Sequence, residues 1–260
     1  LLGFYARFTP NYSRTGYLAR SISWPSFKPD FSGQYWVVTG ASGGIGAAIV
    51  AGAARAGATV LAVARSSDKL EAARAALPNA AAERVINRVC DLASVAAIDE
   101  LLTTLREDGK PIDVLINNVG VLFNDMEITA EGFETTYVTN LLGHYQLTEG
   151  IFAASLFSDK PTIVNMASGG LYTVPQTTKL LNITNADRYV GKHTYGAHKR
   201  AQVALSEVWD ARLRASGGRS YVMHPGWVRT EGVKKALPVF YKIQGLVLRT
   251  GAEGADTALW

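Results

Sequence analysis

Tyr195-Gly196-Ala197-His198-Lys199 sets a phenol and an ammonium one helical turn apart, so on a helix both side chains project from one face. A nearby lysine cation favours the phenolate and lowers a tyrosine pKa from its usual ~10 toward neutrality, which suits proton transfer near neutral pH. The same spacing recurs on exposed helices, so the pair needs partners. Ser168, in Ala167-Ser168-Gly169-Gly170, offers a hydroxyl that could hold a carbonyl or a developing oxyanion, although alone this is only a turn. Asn140 falls inside a long helical pattern, where asparagine is mildly unfavourable; it has either a polar task or a solvent-facing amide.

A second chemistry is written in Thr39-Gly40-Ala41-Ser42-Gly43-Gly44-Ile45-Gly46, which follows the apolar run Tyr35-Trp36-Val37-Val38 and leads into an alanine-rich helical segment. Glycines at 40, 44 and 46 permit a tight turn, close approach of a ligand and close packing of helix on strand. The helix N-terminus then presents unpaired N–H groups to an anion such as a pyrophosphate. An ordinary strand-to-helix turn is the competing reading.

These residues need a scaffold, and the hydrophobic pattern supplies one. Short apolar runs over 35–38, 58–64, 85–89, 112–116, 162–166 and 220–223 read as strands. Helical patterns over 68–77, 95–106, 131–157 and 195–214 separate them. Strands alternating with helices predict an α/β fold: a single Rossmann-type, doubly wound parallel sheet with helices on both faces, ligands binding at the strands' carboxyl ends. The expected organisation is an aromatic and basic leader over 1–34, packed on the body, followed by one domain over 35–260. Leader aromatics and arginines also suit a membrane surface, so peripheral membrane association is an open alternative.

Composition agrees with a globular enzyme-sized domain. Of 260 residues, 48% are hydrophobic and 18% charged, enough for a large core. The net charge of +4 is dispersed and does not form runs, which argues against a nucleic-acid partner. Cys90 is the only cysteine, so no intrachain disulfide forms and a zinc cluster is not expected. His144, His193, His198 and His224 are scattered without metal-ligand spacing, so no metal is expected. No apolar run approaches bilayer length. An intracellular setting, cytoplasmic or at the periphery of a membrane, is compatible with this composition, as is a homo-oligomer. The helical pattern stops at Trp260 before any seventh strand, so the chain is expected to continue beyond it.

Taken in order, the motifs resemble the short-chain dehydrogenase/reductase family from about Tyr35 onward. The glycine stretch is similar to the family's TGxxxGxG, and Asn117-Asn118-Val119-Gly120 to its NNAG with one Ala-to-Val change. Asn140, Ser168, Tyr195 and Lys199 match its catalytic tetrad, and Pro225-Gly226-Trp227-Val228-Arg229-Thr230 its PGxxxT segment. Leader and tail resemble the branch that contains dehydrogenase/reductase member twelve and the retinol-dehydrogenase-like proteins. The separation of Ser168 from Tyr195 departs from the commonest pattern, because residues 171–193 form a longer insert, as that branch also carries.

The resemblance implies hydride transfer between a nicotinamide and a carbonyl or alcohol, with Tyr195 as general acid or base and Ser168 holding the oxygen. Lys199 would depress the Tyr195 pKa and bind the nicotinamide ribose, and Asn140 would hold a water linking Lys199 to solvent. Gly40, Ser42, Gly43, Gly44, Ile45 and Gly46 would seat the pyrophosphate, Asp91 and Leu92 flank the adenine, Asn118 and Gly120 lie at its ribose, and Pro225, Gly226, Val228 and Thr230 near the nicotinamide. At the end of the second strand Ala64 stands where an acidic residue would favour NAD(H). Arg65, Ser66 and Ser67 instead suit a 2′-phosphate, so NADP(H) is the expected cofactor. The insert and the segment 231–250, with Val233, Leu237, Val239, Phe240, Tyr241, Ile243 and Leu246, would form the pocket for a small lipophilic substrate. A sugar-nucleotide epimerase is disfavoured by the glycine spacing; a non-catalytic NADP-binding sensor or scaffold protein is the alternative function.

Overall fold

The computed structural model describes residues 8–260. Leader residues Phe4, Tyr5 and Arg7 lie outside the described residues. Helix α1 (Arg14–Ser21) precedes the body. There β1 (Tyr35–Thr39), α2 (Gly44–Arg55), β2 (Thr59–Ala64), α3 (Ser67–Ala75), β3 (Val85–Val89), α4 (Val95–Asp108) and β4 (Ile112–Asn117) alternate. The second half adds α5 (Gly143–Ala153), β5 (Phe157–Met166), α6 (Gly191–Leu213), β6 (Arg219–Met223), α7 (Glu231–Ala236), α8 (Pro238–Gln244) and α9 (Gly251–Leu259).

The six strands form one sheet in the order β3-β2-β1-β4-β5-β6, and every pairing is parallel. Side chains alternate across it, as strand geometry requires. Trp36, Val38, Val60 and Ile116 face one layer, where Ile49 of α2 and Ala255 of α9 pack. Val37, Leu61 and Leu115 face the other, against Leu101 of α4, Leu147 and Ile151 of α5 and Trp209 of α6. The α/β doubly wound sheet read from the pattern is therefore present. Its chain order reverses between β1 and β4, which opens a crevice at the strands' carboxyl ends.

Local chemistry sets the element ends. Ser66 and Ser94 cap α3 and α4, accepting from Lys69 N and Ala97 N. Three boundaries differ from expectation, the first being the start of α6, which lies at Gly191 and not at Tyr195. The helix expected over 131–157 is interrupted: Glu134 accepts from Thr136 N and Tyr137 N at 2.7 Å and caps a short turn, a π-helical turn spans Val138–Leu142, and α5 follows. The fifth strand begins at Phe157, not Thr162, because Leu156 O accepts from Ile112 N at 2.7 Å and brings the chain alongside β4 before the core run starts. Among the described residues no helix is long and apolar enough to cross a membrane.

Candidate active site

The glycine stretch turns from β1 into α2, with Gly40 and Gly44 at φ +67° and +56°. A Cβ on Gly40 would lie 2.8 Å from Asn118 Nδ2, and one on Gly46 would lie 2.2 Å from Gly40 O. The turn is thus closed to side chains on its inner side, whereas a Cβ on Gly43 would meet nothing within 4 Å. Gly43 caps α2 without a side-chain bond and the first turn carries no acidic residue, so the helix N-terminus offers its amides outward. Thr39 ties the turn to β4: its Oγ1 donates to Ile116 O at 3.1 Å and accepts from Asn118 N at 2.9 Å. Asn118 Nδ2 donates to Thr39 O at 2.8 Å, so this amide holds the turn in place.

Around that turn the other residues of the expected binding set collect. Thr230 caps α7, and its Cγ2 would lie 3.1 Å from a Cβ on Gly44. Buried Val228 packs on α9 at Gly254, and Ile45 touches the same glycine. Gly226, at φ +80°, leaves room for Arg249, whose Nη1 donates to Pro225 O at 3.2 Å. Arg65 is exposed at the end of β2 and makes no hydrogen bond or ion pair with the described residues; neighbouring Ser66 faces its helix cap. Asp91 Oδ1 accepts from Ala93 N at 3.0 Å just beyond β3, and Leu92 is buried.

Ser168 follows β5 and Tyr195 and Lys199 lie on α6, all at the same end of the sheet as the glycine turn. The Ser168 hydroxyl favours the charged form of the Tyr195 phenol, so the two side chains act on one another. Lys199 Nζ donates to Met166 O at 2.8 Å and sits 5.8 Å from the Tyr195 ring centre. Gly120 makes room for it, since a Cβ there would lie 3.3 Å from Nζ. The Asn140 side chain is spent on backbone: Oδ1 accepts from Val121 N and Nδ2 donates to Val121 O, both at 2.8 Å. It is fully buried in the π-turn, not facing solvent. Such turns free a backbone carbonyl from the regular ladder.

Electrostatics depart from the expectation that the lysine cation would pull the phenol toward neutrality. Burial pushes the Tyr195 phenol above its ordinary value, opposed only by the Ser168 hydroxyl. Burial also brings Lys199 down to about 7, because desolvation disfavours the ammonium. In this geometry the cost of burying charge outweighs the attraction between the pair.

Leader residues form part of the wall beside Ser168. Tyr12 stacks on His224 with ring centres 4.0 Å apart and meets Trp227 edge-on, while Phe8 stacks on Tyr12 and on Tyr172 of the insert. Trp227 N donates to Tyr12 O at 2.7 Å, and a Cβ on Gly169, next to Ser168, would lie 3.4 Å from His224 Nε2. Of the residues expected to line a pocket from the 231–250 segment, Phe240 packs on Trp227, but Val239, Ile243 and Leu246 stand 70%, 72% and 93% exposed.

The sequence profile of the short chain dehydrogenase family matches residues 34–179, from the start of β1 into the insert. The chain belongs to the short-chain dehydrogenase family. Dehydrogenase/reductase SDR family member 12 of Bos taurus is 32% identical over 264 residues, covering 98% of this chain and 80% of that protein. Retinol dehydrogenase 12 of Homo sapiens is 30% identical over 232 residues, covering 87% and 72% respectively. A metagenomic short-chain oxidoreductase crystallised in complex with NADP superposes with a TM-score of 0.64 at 24% identity, covering 87% of this chain and 89% of that one. The likeness places this member in the branch expected from leader and tail, and the family's general chemistry is NAD(P)-dependent oxidoreduction.

Sequence reasoning about this family member missed three positions. Thr39 was visible as the first residue of the glycine motif, but a hydroxyl that ties two strands together leaves no periodic mark. Tyr12 was read only as part of a packed leader, because nothing in a sequence shows which loop an aromatic residue will face. Gln202 joins Lys199 to the Asn140 carbonyl, and its position one turn beyond Lys199 was the available signal.

Proposed function

We propose that this chain is an NADP(H)-dependent oxidoreductase acting on the carbonyl or alcohol of a small apolar substrate. The observation that carries the reading is the convergence of Ser168, Tyr195 and Lys199 at the sheet end where α2 presents an uncapped N-terminus. When bound, the nicotinamide supplies or accepts the hydride. Gly40, Ser42, Gly43, Gly44, Ile45 and Gly46 would hold the pyrophosphate, the side-chain-free turn allowing backbone amides to approach it. Asp91, Leu92, Asn118 and Gly120 would border the adenosine half, and Pro225, Gly226, Val228 and Thr230 the nicotinamide half.

On the substrate side, Ser168 orients the carbonyl oxygen and Tyr195 donates the proton that this oxygen takes up in reduction, or removes it in oxidation. Lys199, held near neutrality by burial, is suited to restoring the phenol's proton. Arg65, exposed and without a protein partner among the described residues, suits the 2′-phosphate of NADP(H), and no carboxylate ends β2 to repel it. The aromatic wall of Tyr12, Tyr172 and Trp227 beside Ser168 supports an apolar substrate.

The test is a panel of lipophilic carbonyls and alcohols followed by NADPH absorbance. Tyr195→Phe is expected to fold and bind NADPH while losing at least about 100-fold in turnover. Wild-type rates in that variant would defeat the reading, and NADPH binding without turnover of any substrate would favour a sensor or scaffold protein.

A further inference from the structure

Gln202 lies on α6 one turn beyond Lys199 and is 1% exposed. Its oxygen and its nitrogen are both hydrogen-bonded within the protein. Oε1 accepts from Lys199 Nζ at 3.0 Å, and Nε2 donates to Asn140 O at 2.7 Å and to His144 Nδ1 at 2.8 Å. The Asn140 carbonyl can only accept, so the orientation of the amide is fixed by its partners. His144 must then accept at Nδ1 and carry its proton on Nε2, a buried atom with no hydrogen-bond partner among the described residues. Burial holds His144 down to about 3, so it remains a neutral acceptor through the physiological range.

We propose that Gln202 is a positioning residue of the Tyr195–Lys199 pair, its amide tying the Lys199 amine to the Asn140 carbonyl at the π-turn. The expected role of Asn140 was to hold a water linking Lys199 to solvent; the Gln202 amide instead joins Lys199 directly to the Asn140 carbonyl. An amide is neither an acid nor a base near neutral pH, so the link fixes Lys199 without relaying a proton inward. The groups facing Lys199 are Tyr195 and His198 on α6, His144 on α5 and the Met166 carbonyl at the end of β5. None of the ion pairs among the described residues includes Lys199, so the Gln202 oxygen and the Met166 carbonyl are its recorded acceptors. The π-turn matters here because it is the element that delivers the Asn140 carbonyl to α6.

Two measurements on the unliganded protein test the link directly, and only the kinetic arm rests on the oxidoreductase reading. In the wild type, the Gln202 side-chain amide should exchange its hydrogens slowly by NMR; exchange at the rate of a free amide overturns the proposal. Titration of Lys199, followed by labelling lysine ε-carbons, should shift in opposite directions in two variants. Gln202→Leu removes an acceptor and lowers the Lys199 pKa, whereas Gln202→Glu brings a carboxylate against the amine and raises it, by about one unit or more. A packing role would not reverse sign between them, and an unchanged Lys199 titration in Gln202→Glu overturns the proposal even if Gln202→Leu fails to fold. In turnover, kcat of Gln202→Leu should fall ~10- to 100-fold and the pH limb set by the pair should move with Lys199. Wild-type kcat and pH profile in a folded Gln202→Leu would also overturn it. If the wild type turns over nothing, the oxidoreductase reading fails while the NMR outcomes still decide the role of Gln202.

Discussion

Individual side chains at this site are tuned more by where they are buried than by their nearest charge. Tyr195 and Lys199 were legible because a pair one turn apart needs only a helix to share a face, but the direction of the phenol shift was not. It depends on how much water the fold removes, a quantity that spacing does not encode. Arg65 presents the opposite case, an exposed cation whose meaning is set by what is missing beside it. Arg65→Ala should weaken NADPH binding by roughly 10- to 100-fold, the worth of a charged hydrogen-bonded contact, and leave NADH nearly untouched. Fluorescence titration with both cofactors checks this, and equal losses would show that Arg65 does not read the 2′-phosphate.

Elements bring these side chains together through contacts between turns. The glycine turn was readable only in company, since its spacing alone also fits an ordinary turn and the ordered motifs after it decided between the two; the structure shows which of its faces is closed. Gly46→Ala sets a methyl against Gly40 O and Asn118 Nδ2, with Cβ distances of 2.2 and 2.6 Å, both to well-held groups. It should cost about 1–3 kcal/mol in urea melts and abolish NADPH binding. Gly43→Ala, where φ is −179° and no atom lies within 4 Å, should leave stability within about 0.5 kcal/mol of wild type. The π-turn at Asn140 could not be read, since one extra residue within a helical stretch barely disturbs a 3.6-residue period. The early start of β5 was hidden for a related reason: Ser158, Asp159 and Lys160 are polar and lie in a register irregularity between Phe157, which pairs with Ile112, and Thr162, which pairs with Val114, so they carry no strand pattern of their own.

At the scale of the whole molecule, the parallel sheet and its two apolar layers were legible because buried strands leave continuous β-branched runs. The same burial makes the fold sensitive to acid. His144, His198 and His224 are held down to about 3, 4 and 4 by desolvation, so in the range below pH 6.5 the unfolded chain binds protons that the folded chain refuses. Their contribution is therefore intact at neutral pH and is lost as pH falls from about 6.5 toward 4, on the order of 2 kcal/mol per histidine by pH 5. Lys199 adds the same sign higher up, its neutral form gaining stability as pH rises from about 7 toward 10.5. Urea midpoints measured from pH 8 to pH 5 should fall steeply, and a flat profile would contradict the buried histidines. The strand order has a consequence in time. β1 is flanked by β2, its neighbour in the chain, and by β4, which is made some seventy residues later. During synthesis the glycine turn can form early, but the bonds from Thr39 to Ile116 and Asn118 wait until β4 has left the ribosome. The crevice between β1 and β4 thus cannot close before β4 is made, and a ligand held there would mark chains whose central strands have already met.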